Sequence, residues 1–359
     1  MRILHITDFG PAGKINGVSE AVLNLAKAQM NAGAIVLVGH TRPNNYVKET
    51  FCYNVEDVAA FDALVSEFAP DIVVFNSFYD IKHPLFARKL KKRGIPYVIT
   101  FHGGASKNNY KKHHLKKLIA NALVFGWYVK SAAAVCYLNK GEMESSIFHR
   151  YNHNAIIIPN GIIFQKRNDF VKQSDGITIT FMSRLDYYGK GLDILLSVIA
   201  NIREWAIENK VSFLFYGYHY NDGTIEKIEE LKEICSYRGF VMGNDKANAW
   251  GNTDIFILPS RSEGMPVSIL EALSYGIPCI ITPQTNMGDV IENNDCGWLT
   301  ELDIDSLSNT IRDAVSDFSQ RRTELQTMSI NTSKQFSWDS IAQQSIDKYL
   351  RIIDQGNEE

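Results

Sequence analysis

Asp254-Ile-Phe-Ile-Leu-Pro-Ser-Arg-Ser-Glu-Gly-Met-Pro-Val-Ser-Ile-Leu-Glu-Ala272 contains a buried strand, its exit and the start of a helix. The apolar run Ile255 to Leu258 reads as strand, and Pro259 stops it. Gly264 and Pro266 mark a loop that opens a helix at Val267. Such a strand–loop–helix unit is the usual seat of a phosphorylated ligand, because unpaired N–H groups and the helix dipole attract anions. Two carboxylates, Glu263 and Glu271, stand in the same unit. A carboxylate repels phosphate, so here it is better suited to accept hydrogen bonds from hydroxyls. Phosphate together with several hydroxyls describes a nucleotide-sugar. The residues also fit a plainer role, with Glu263 a favourable charge at a helix start and Glu271 an exposed helical residue.

The rest of the chain repeats the strand–loop–helix pattern. In the first half, strands are expected at 3–7, 34–39, 71–75, 97–101, 132–138 and 155–158, with helices at 19–32, 58–68 and 85–93. Pro159-Asn160-Gly161 is a turn, and the polar stretch 165–176 reads as a linker. A second series follows, with strands at 177–182, 211–216, 240–242, 255–258 and 279–281. Its helices are expected at 192–206, 225–236 and 267–275. Continuous apolar strands between helices indicate parallel sheets covered on both faces. The expected fold is α/β, with two Rossmann-like doubly wound domains facing across a cleft. Their expected extents are 1–164 and 165–339, with an amphipathic helix over about 340–359 at the end.

Bulk properties exclude other classes. A chain of 359 residues is too long for one ordinary core. A hydrophobic share of 45% and a charged share of 21% are those of a globular protein. A net charge of -3 argues against general nucleic-acid binding. The five cysteines, Cys52, Cys136, Cys235, Cys279 and Cys296, form no C-x-x-C pair and mostly sit in apolar runs. They read as reduced thiols of a cytoplasmic protein with no zinc site. Residues 1–8 are too few and too polar for a signal peptide, and no stretch approaches a transmembrane helix.

The loops after strands carry the chemistry. Asp8-Phe-Gly-Pro-Ala-Gly-Lys-Ile-Asn-Gly17 is neither a P-loop nor a dinucleotide fingerprint, but Gly17 permits close backbone approach just before a helix. An ordinary strand–helix turn explains it equally. Phe101-His102-Gly-Gly puts a histidine at the end of a buried strand; a ring satisfied by a backbone carbonyl is its plainer fate. In Met182-Ser-Arg-Leu-Asp-Tyr-Tyr-Gly-Lys-Gly191, Arg184 and Lys190 share one loop. A fixed fork and a mobile ammonium suit an anion that gains charge as a bond breaks. Pro283-Gln-Thr-Asn-Met-Gly288, with Thr285 and Asn286, offers backbone N–H groups to phosphate oxygens.

Taken in order, these loops resemble the retaining glycosyltransferases of family four, the group 1 glycosyl transferases with the GT-B fold. The resemblance rests on Glu263-x7-Glu271 with Gly264 and Ala272, Arg184 with Lys190-Gly191, Pro159-Asn160-Gly161, Phe101-His102-Gly and the closing Phe336-Ser-Trp338. It implies that Glu271 accepts the ribose hydroxyls and that Glu263 meets hydroxyls of the transferred sugar. Arg184 and Lys190 would hold the diphosphate, with Gly17 approaching it. Gly264, Met265 and Pro266 belong to the same donor loop. His102 would touch the donor sugar, and residues 240–243, Val241 among them, would lie near the nucleobase. Many relatives have Gly-Gly in the first loop; here Asn16 replaces the first Gly. The resemblance also implies a tail that returns to the N-terminal domain, retention of anomeric configuration, and no metal or cofactor, with a UDP-sugar as the favoured donor. Asp303-Ile-Asp305 has a D-x-D pattern but reads as a helix start.

The acceptor side is less constrained. Lys107-Asn-Asn-Tyr-Lys-Lys-His-His-Leu-Lys-Lys117 precedes an apolar stretch with Phe125, Trp127 and Tyr128. This pairing suits an anionic membrane surface, and equally a solvated helix face before a core helix. The expectation is transfer to a hydroxyl of a lipid-linked glycan, in cell-surface polysaccharide or lipopolysaccharide synthesis, at the inner face of the membrane. Alternatives are a nucleotide-sugar epimerase or hydrolase on the same fold, and a silent binding protein.

Overall fold

Runs of β-branched and aromatic residues make thirteen short strands among the described residues, and all strand pairings are parallel. The computed structural model describes residues 1–8, 17–42, 49–102, 124–164 and 176–357. It divides into two units, Met1–Gly161 with Trp338–Glu359, and Ile162–Ser337.

The first unit is built on β1 (Arg2–Thr7), β2 (Ile35–His40), β3 (Cys52–Asn54), β4 (Ile72–Phe75), β5 (Tyr97–Thr100), β6 (Ala134–Tyr137) and β7 (Ala155–Ile157). Their order across the sheet is β3-β2-β1-β4-β5-β6-β7, so the winding reverses between β1 and β4. Alternate residues feed two cores. Leu4, Ile6, Val73 and Phe75 join the helices Val58–Phe68 and Lys82–Lys92, where Phe61 and Phe86 stack at 4.3 Å. Ile3, Val36, Ile72, Val74 and Val98 face the other way, onto the helices Gly17–Asn31 and Trp338–Asn357. The last helix supplies Ile341, Ile346, Tyr349 and Ile352 to that core.

The second unit contains β8 (Ile177–Met182), β9 (Val211–Tyr216), β10 (Cys235–Tyr237), β11 (Ile255–Leu258), β12 (Cys279–Ile281) and β13 (Gly297–Leu299). The order is β10-β9-β8-β11-β12-β13, with the reversal between β8 and β11. This is the doubly wound order that leaves a ligand crevice at the carboxyl ends of the two strands flanking the reversal.

Three differences from the sequence reading have local causes. The helix expected over 225–236 stops at Glu229, because Cys235, Ser236 and Tyr237 pair with Phe213, Leu214 and Phe215 as β10. Residues 240–242 are therefore not a strand. The helix expected over 192–206 is two helices, Leu192–Asn201 and Arg203–Glu208, divided at Ile202. A 31-residue helix, Ile304–Lys334, kinked at Arg321, was not signalled by the periodicity. Asp303 caps it by accepting from the Ser306 N–H at 2.8 Å, so the D-x-D pattern marks a helix start.

The chain passes between units twice. At the edge of the second unit, the Ile162 N–H donates to Phe336 O at 2.7 Å, and Ile162 bridges to Ser337. In the first unit, a Cβ added at Gly161 would lie 2.4 Å from the Trp338 ring, so only glycine fits under that indole.

Candidate functional site

In the second unit, the loops leaving β8 and β11 meet at the reversal of the winding. The β8 loop is folded on itself by Asp186, whose carboxylate accepts from the Gly189 N–H at 2.9 Å and whose carbonyl accepts from the Lys190 N–H at 3.0 Å. Gly191 then takes φ +70°, and a Cβ there would stand 2.0 Å from Pro259 O, at the exit of β11. Glycine is thus what lets the two loops touch.

Across this contact the Lys190 ammonium donates to Glu263 Oε1, and the Ser260 hydroxyl donates to the same oxygen at 2.7 Å. The side chains of Lys190 and Glu263 are only 11% and 13% exposed, so the pair is held in a low-dielectric pocket. Backbone bonds lock the glutamate. Its N–H donates to Gln284 O at 3.0 Å, and Asn286 Nδ2 donates to Glu263 O at 2.7 Å and Gly264 O at 3.3 Å. Asn286 stands at φ +59°, a conformation that asparagine tolerates. Thr285 spends its hydroxyl on Thr282 O at 2.8 Å, so it braces this loop. Met265 is buried, and Pro266 leads in extended conformation into the helix Val267–Ser274.

Two residues that the sequence reading missed complete the frame. Arg261 grips Asp193 with both prongs, at 2.7 and 2.8 Å, and lies over the Tyr188 ring at 3.8 Å. It thereby fastens the β11 loop to the helix that follows the β8 loop, and this bonding raises its already high pKa. Lys246, on the helix Gly243–Gly251, donates to Glu271 Oε1. That ion pair brings the residues after β10 beside the helix carrying Glu271; among them Val241 is half-buried, while Phe240 and Met242 are 64% and 70% exposed. Neither partner could be paired from the sequence, because 68 residues separate Arg261 from Asp193 and 25 separate Lys246 from Glu271.

Arg184 is not part of the Lys190 pair. Its side chain is exposed and donates to the Tyr220 hydroxyl at 3.0 Å, on the loop after β9. In the first unit, Gly17 opens the helix Gly17–Asn31, with no atom of the other described residues within 4 Å of an added Cβ. His102 follows β5 at φ +48°, with Nε2 3.4 Å from Asn76 Oδ1. The rest of the first loop (9–16), Gly103 and Gly104, the basic segment 107–117 and the stretch 165–175 lie outside the described residues. Among the described residues no group of three His, Cys, Asp or Glu is placed to hold a metal ion, and no helix is long and apolar enough to cross a membrane.

The Arg261 fork carries a testable weight. Arg261→Lys keeps the charge but loses the planar two-pronged geometry, and is expected to cost about 1–2 kcal/mol in urea unfolding. An unchanged midpoint would show that a point charge suffices to hold the two loops.

Comparison with known proteins covers both units. Residues 176–317 match the family model described as glycosyl transferases group 1, and residues 16–161 match the glycosyl transferase 4-like domain. The UDP-Gal:alpha-D-GlcNAc-diphosphoundecaprenol alpha-1,3-galactosyltransferase of Escherichia coli is 25% identical over 299 residues, spanning 73% of this chain and 72% of that protein. Among solved structures, sucrose-phosphate synthase from Thermosynechococcus elongatus superposes with a TM-score of 0.76 at 17% identity, over 99% of both chains. HepE from Anabaena, solved in complex with UDP, gives 0.73 at 17% identity over 97% of this chain and 99% of that one. At such identities the structural likeness speaks for the fold.

Proposed function

The chain belongs to the group 1 glycosyltransferases of GT4 type with the GT-B fold, and from that premise we propose that it moves a sugar, with retention of anomeric configuration, from a nucleoside-diphosphate-sugar to a hydroxyl of a lipid-linked glycan. The acceptor would be built in cell-surface polysaccharide or lipopolysaccharide synthesis. The observation that carries the reading is the Lys190–Glu263 pair at the reversal of the second sheet.

A diphosphate entering that crevice finds an ammonium already fixed by one carboxylate, and so already desolvated and aimed. As the sugar–oxygen bond breaks, negative charge collects on the departing diphosphate. Lys190 and Arg184 stabilise it there in place of a metal ion. For Arg184 this requires leaving Tyr220, a single neutral hydrogen bond. Glu263 accepts from sugar hydroxyls beside the diphosphate, with Gly264, Met265 and Pro266 shaping the loop. Glu271 accepts from the ribose with Lys246 holding its carboxylate in place, and residues 240–243 border the base. Thr285 and Asn286 keep the glutamate loop rigid, and the family resemblance assigns Gly17 and His102 to donor binding as well. The acceptor hydroxyl attacks from the face that the diphosphate leaves, its proton passing to the departing diphosphate oxygen; no protein nucleophile is required.

Two similarities support the finer points. HepE was solved with UDP, which favours a uridine donor. The E. coli relative is named for a diphosphoundecaprenol-linked sugar, which favours a lipid-linked acceptor and a working position at the inner face of the membrane.

Thermal unfolding with UDP, GDP and ADP, alone and joined to several sugars, tests the donor class. The matching donor at a hundredfold excess over its Kd is expected to stabilise the protein by about 2.7 kcal/mol. Transfer of that sugar to a lipid diphosphate acceptor, with the product anomer read by NMR, tests the rest. Inversion of the anomer would overturn retention, and rapid donor turnover without acceptor would overturn transfer in favour of hydrolysis or epimerisation.

A further inference from the structure

The first unit holds a line of buried polar side chains that the transfer reading leaves unused. Asn76 follows β4 and is buried. Its Nδ2 donates to Val74 O at 3.1 Å and lies 3.2 Å from His5 Nδ1, with Ile6 O at 3.5 Å. Carbonyl oxygens only accept, so the nitrogen end of the amide must face them. Both amide protons are then committed, and Oδ1 faces His102 Nε2.

The direction of every further bond follows. His5 Nδ1 accepts from Asn76, so the His5 proton sits on Nε2 and goes to Gln29 Oε1 at 2.8 Å. Gln29 Nε2 donates to Ser345 Oγ at 2.9 Å, and that hydroxyl donates to Ala342 O at 2.7 Å. His5, Gln29 and Ser345 are fully buried, so water does not compete for these bonds. The line runs from the carboxyl end of the first sheet into the helix Trp338–Asn357 and closes on a backbone carbonyl.

We propose that this line is a positioning device that holds His102 as the neutral ring with its proton on Nε2, leaving Nδ1 as a bare acceptor that takes a hydrogen bond only from a donor such as a sugar hydroxyl. The ligand class rests on the reading of His102 as a contact to the donor sugar; the ring's proton position does not. Burial pulls both rings down to about 4, with His5 adding repulsion at His102, so neither is cationic near neutrality. His102 is delivered to this place by a left-handed backbone, which a non-glycine residue adopts only when its surroundings impose it. A small cavity bordered by Val22, Thr100, Leu138 and Asn160 lies beside Asn76 and His102 and leaves room at the ring.

Long-range proton–nitrogen correlation NMR on the full chain labelled with ¹⁵N-histidine reads the tautomer directly, with His102 assigned by its loss in His102→Gln. The expected result is a neutral Nε2–H ring at both His5 and His102 across about pH 6 to 8. A His102 proton on Nδ1, or a ring that titrates in this range, overturns the proposal. Asn76→Asp replaces a two-proton donor with an acceptor, so His5 must move its proton to Nδ1 or become charged, and the His102 signals must shift; an unmoved His102 overturns the relay. If that variant fails to fold, the parent's tautomer decides alone. Donors carrying fluorine in place of one sugar hydroxyl at a time test the ligand class, because fluorine does not donate. One position is expected to lose roughly tenfold in kcat/KM in the parent and nothing further in His102→Ala, whose side chain has no acceptor. Equal losses in both would overturn the hydroxyl contact and leave glycosyl transfer standing. Absence of any transfer would instead count against the function, whatever the tautomer.

Discussion

Lys190→Ala is expected to lower kcat by about 10²–10³-fold, the usual cost of removing one fixed charge-stabilising contact from a leaving group. Lys190 earns this weight by its setting. It is buried, its backbone is tied to Asp186, its ammonium is held by Glu263, and Gly191 beside it is pressed against the exit of β11. The substitution also strips a buried carboxylate of its counter-charge, which lowers stability in its own right. A second variant, Lys190→Met with Glu263→Gln, separates the two effects: it removes both charges, and should recover the lost stability without recovering the rate. Single-turnover sugar transfer and urea unfolding of parent and both variants provide the measurements. A rate within tenfold of the parent in Lys190→Ala would remove the ammonium from the chemistry.

Stability is expected to fall steeply on the acid side, between about pH 6.5 and pH 4, with His5 contributing about 3 kcal/mol. The cause is desolvation. In the fold the ring is wholly buried against Gln29 and Asn76, and its pKa drops from 6.5 to about 4. In the unfolded chain the ring is solvated and takes up its proton near 6.5. Between these values the unfolded state binds a proton that the native state refuses, so stability is fully present above 6.5, declines as pH falls, and levels off below 4. His102 and His83, also held below their usual range by burial, act in the same direction. Unfolding free energies at pH 7 and 5 for the parent and for His5→Gln check this. A slope that survives the substitution would place the proton uptake elsewhere.

Much of the frame was legible from residues alone, and the reason is burial on both faces. A parallel strand such as Ile177–Met182 shows as an unbroken apolar run, and its boundaries matched the reading residue for residue. Where a strand is short and only partly covered, as at Cys235–Tyr237, periodicity read through it as helix. The site divides in the same way. Lys190 and Glu263 were visible because each follows a strand, and strand exits are where chemistry collects. Their mutual contact was not, nor were Arg261 with Asp193, Lys246 with Glu271, or Arg184 with Tyr220. Those pairings are made by topology, which brings together loops that local patterns treat separately. Asn76 gave no signal either, since a lone asparagine after a strand reads as a turn; its role exists only through His5 and Gln29, which the sheet delivers to it.

The helix Trp338–Asn357 has a consequence for how the protein is made. One flank of the first sheet, with Ile72, Val74 and Val98, is covered in part by Ile341, Ile346, Tyr349 and Ile352. On the ribosome those residues emerge only after the whole of the second unit. Until then the part of the first unit made before it carries a partly uncovered oily flank and an unfinished polar line ending at Gln29. The second unit needs no such wait, because its own last helix precedes Ser337. The portion synthesised later is therefore the one able to mature first, and the vulnerable interval for aggregation falls on the amino-terminal portion.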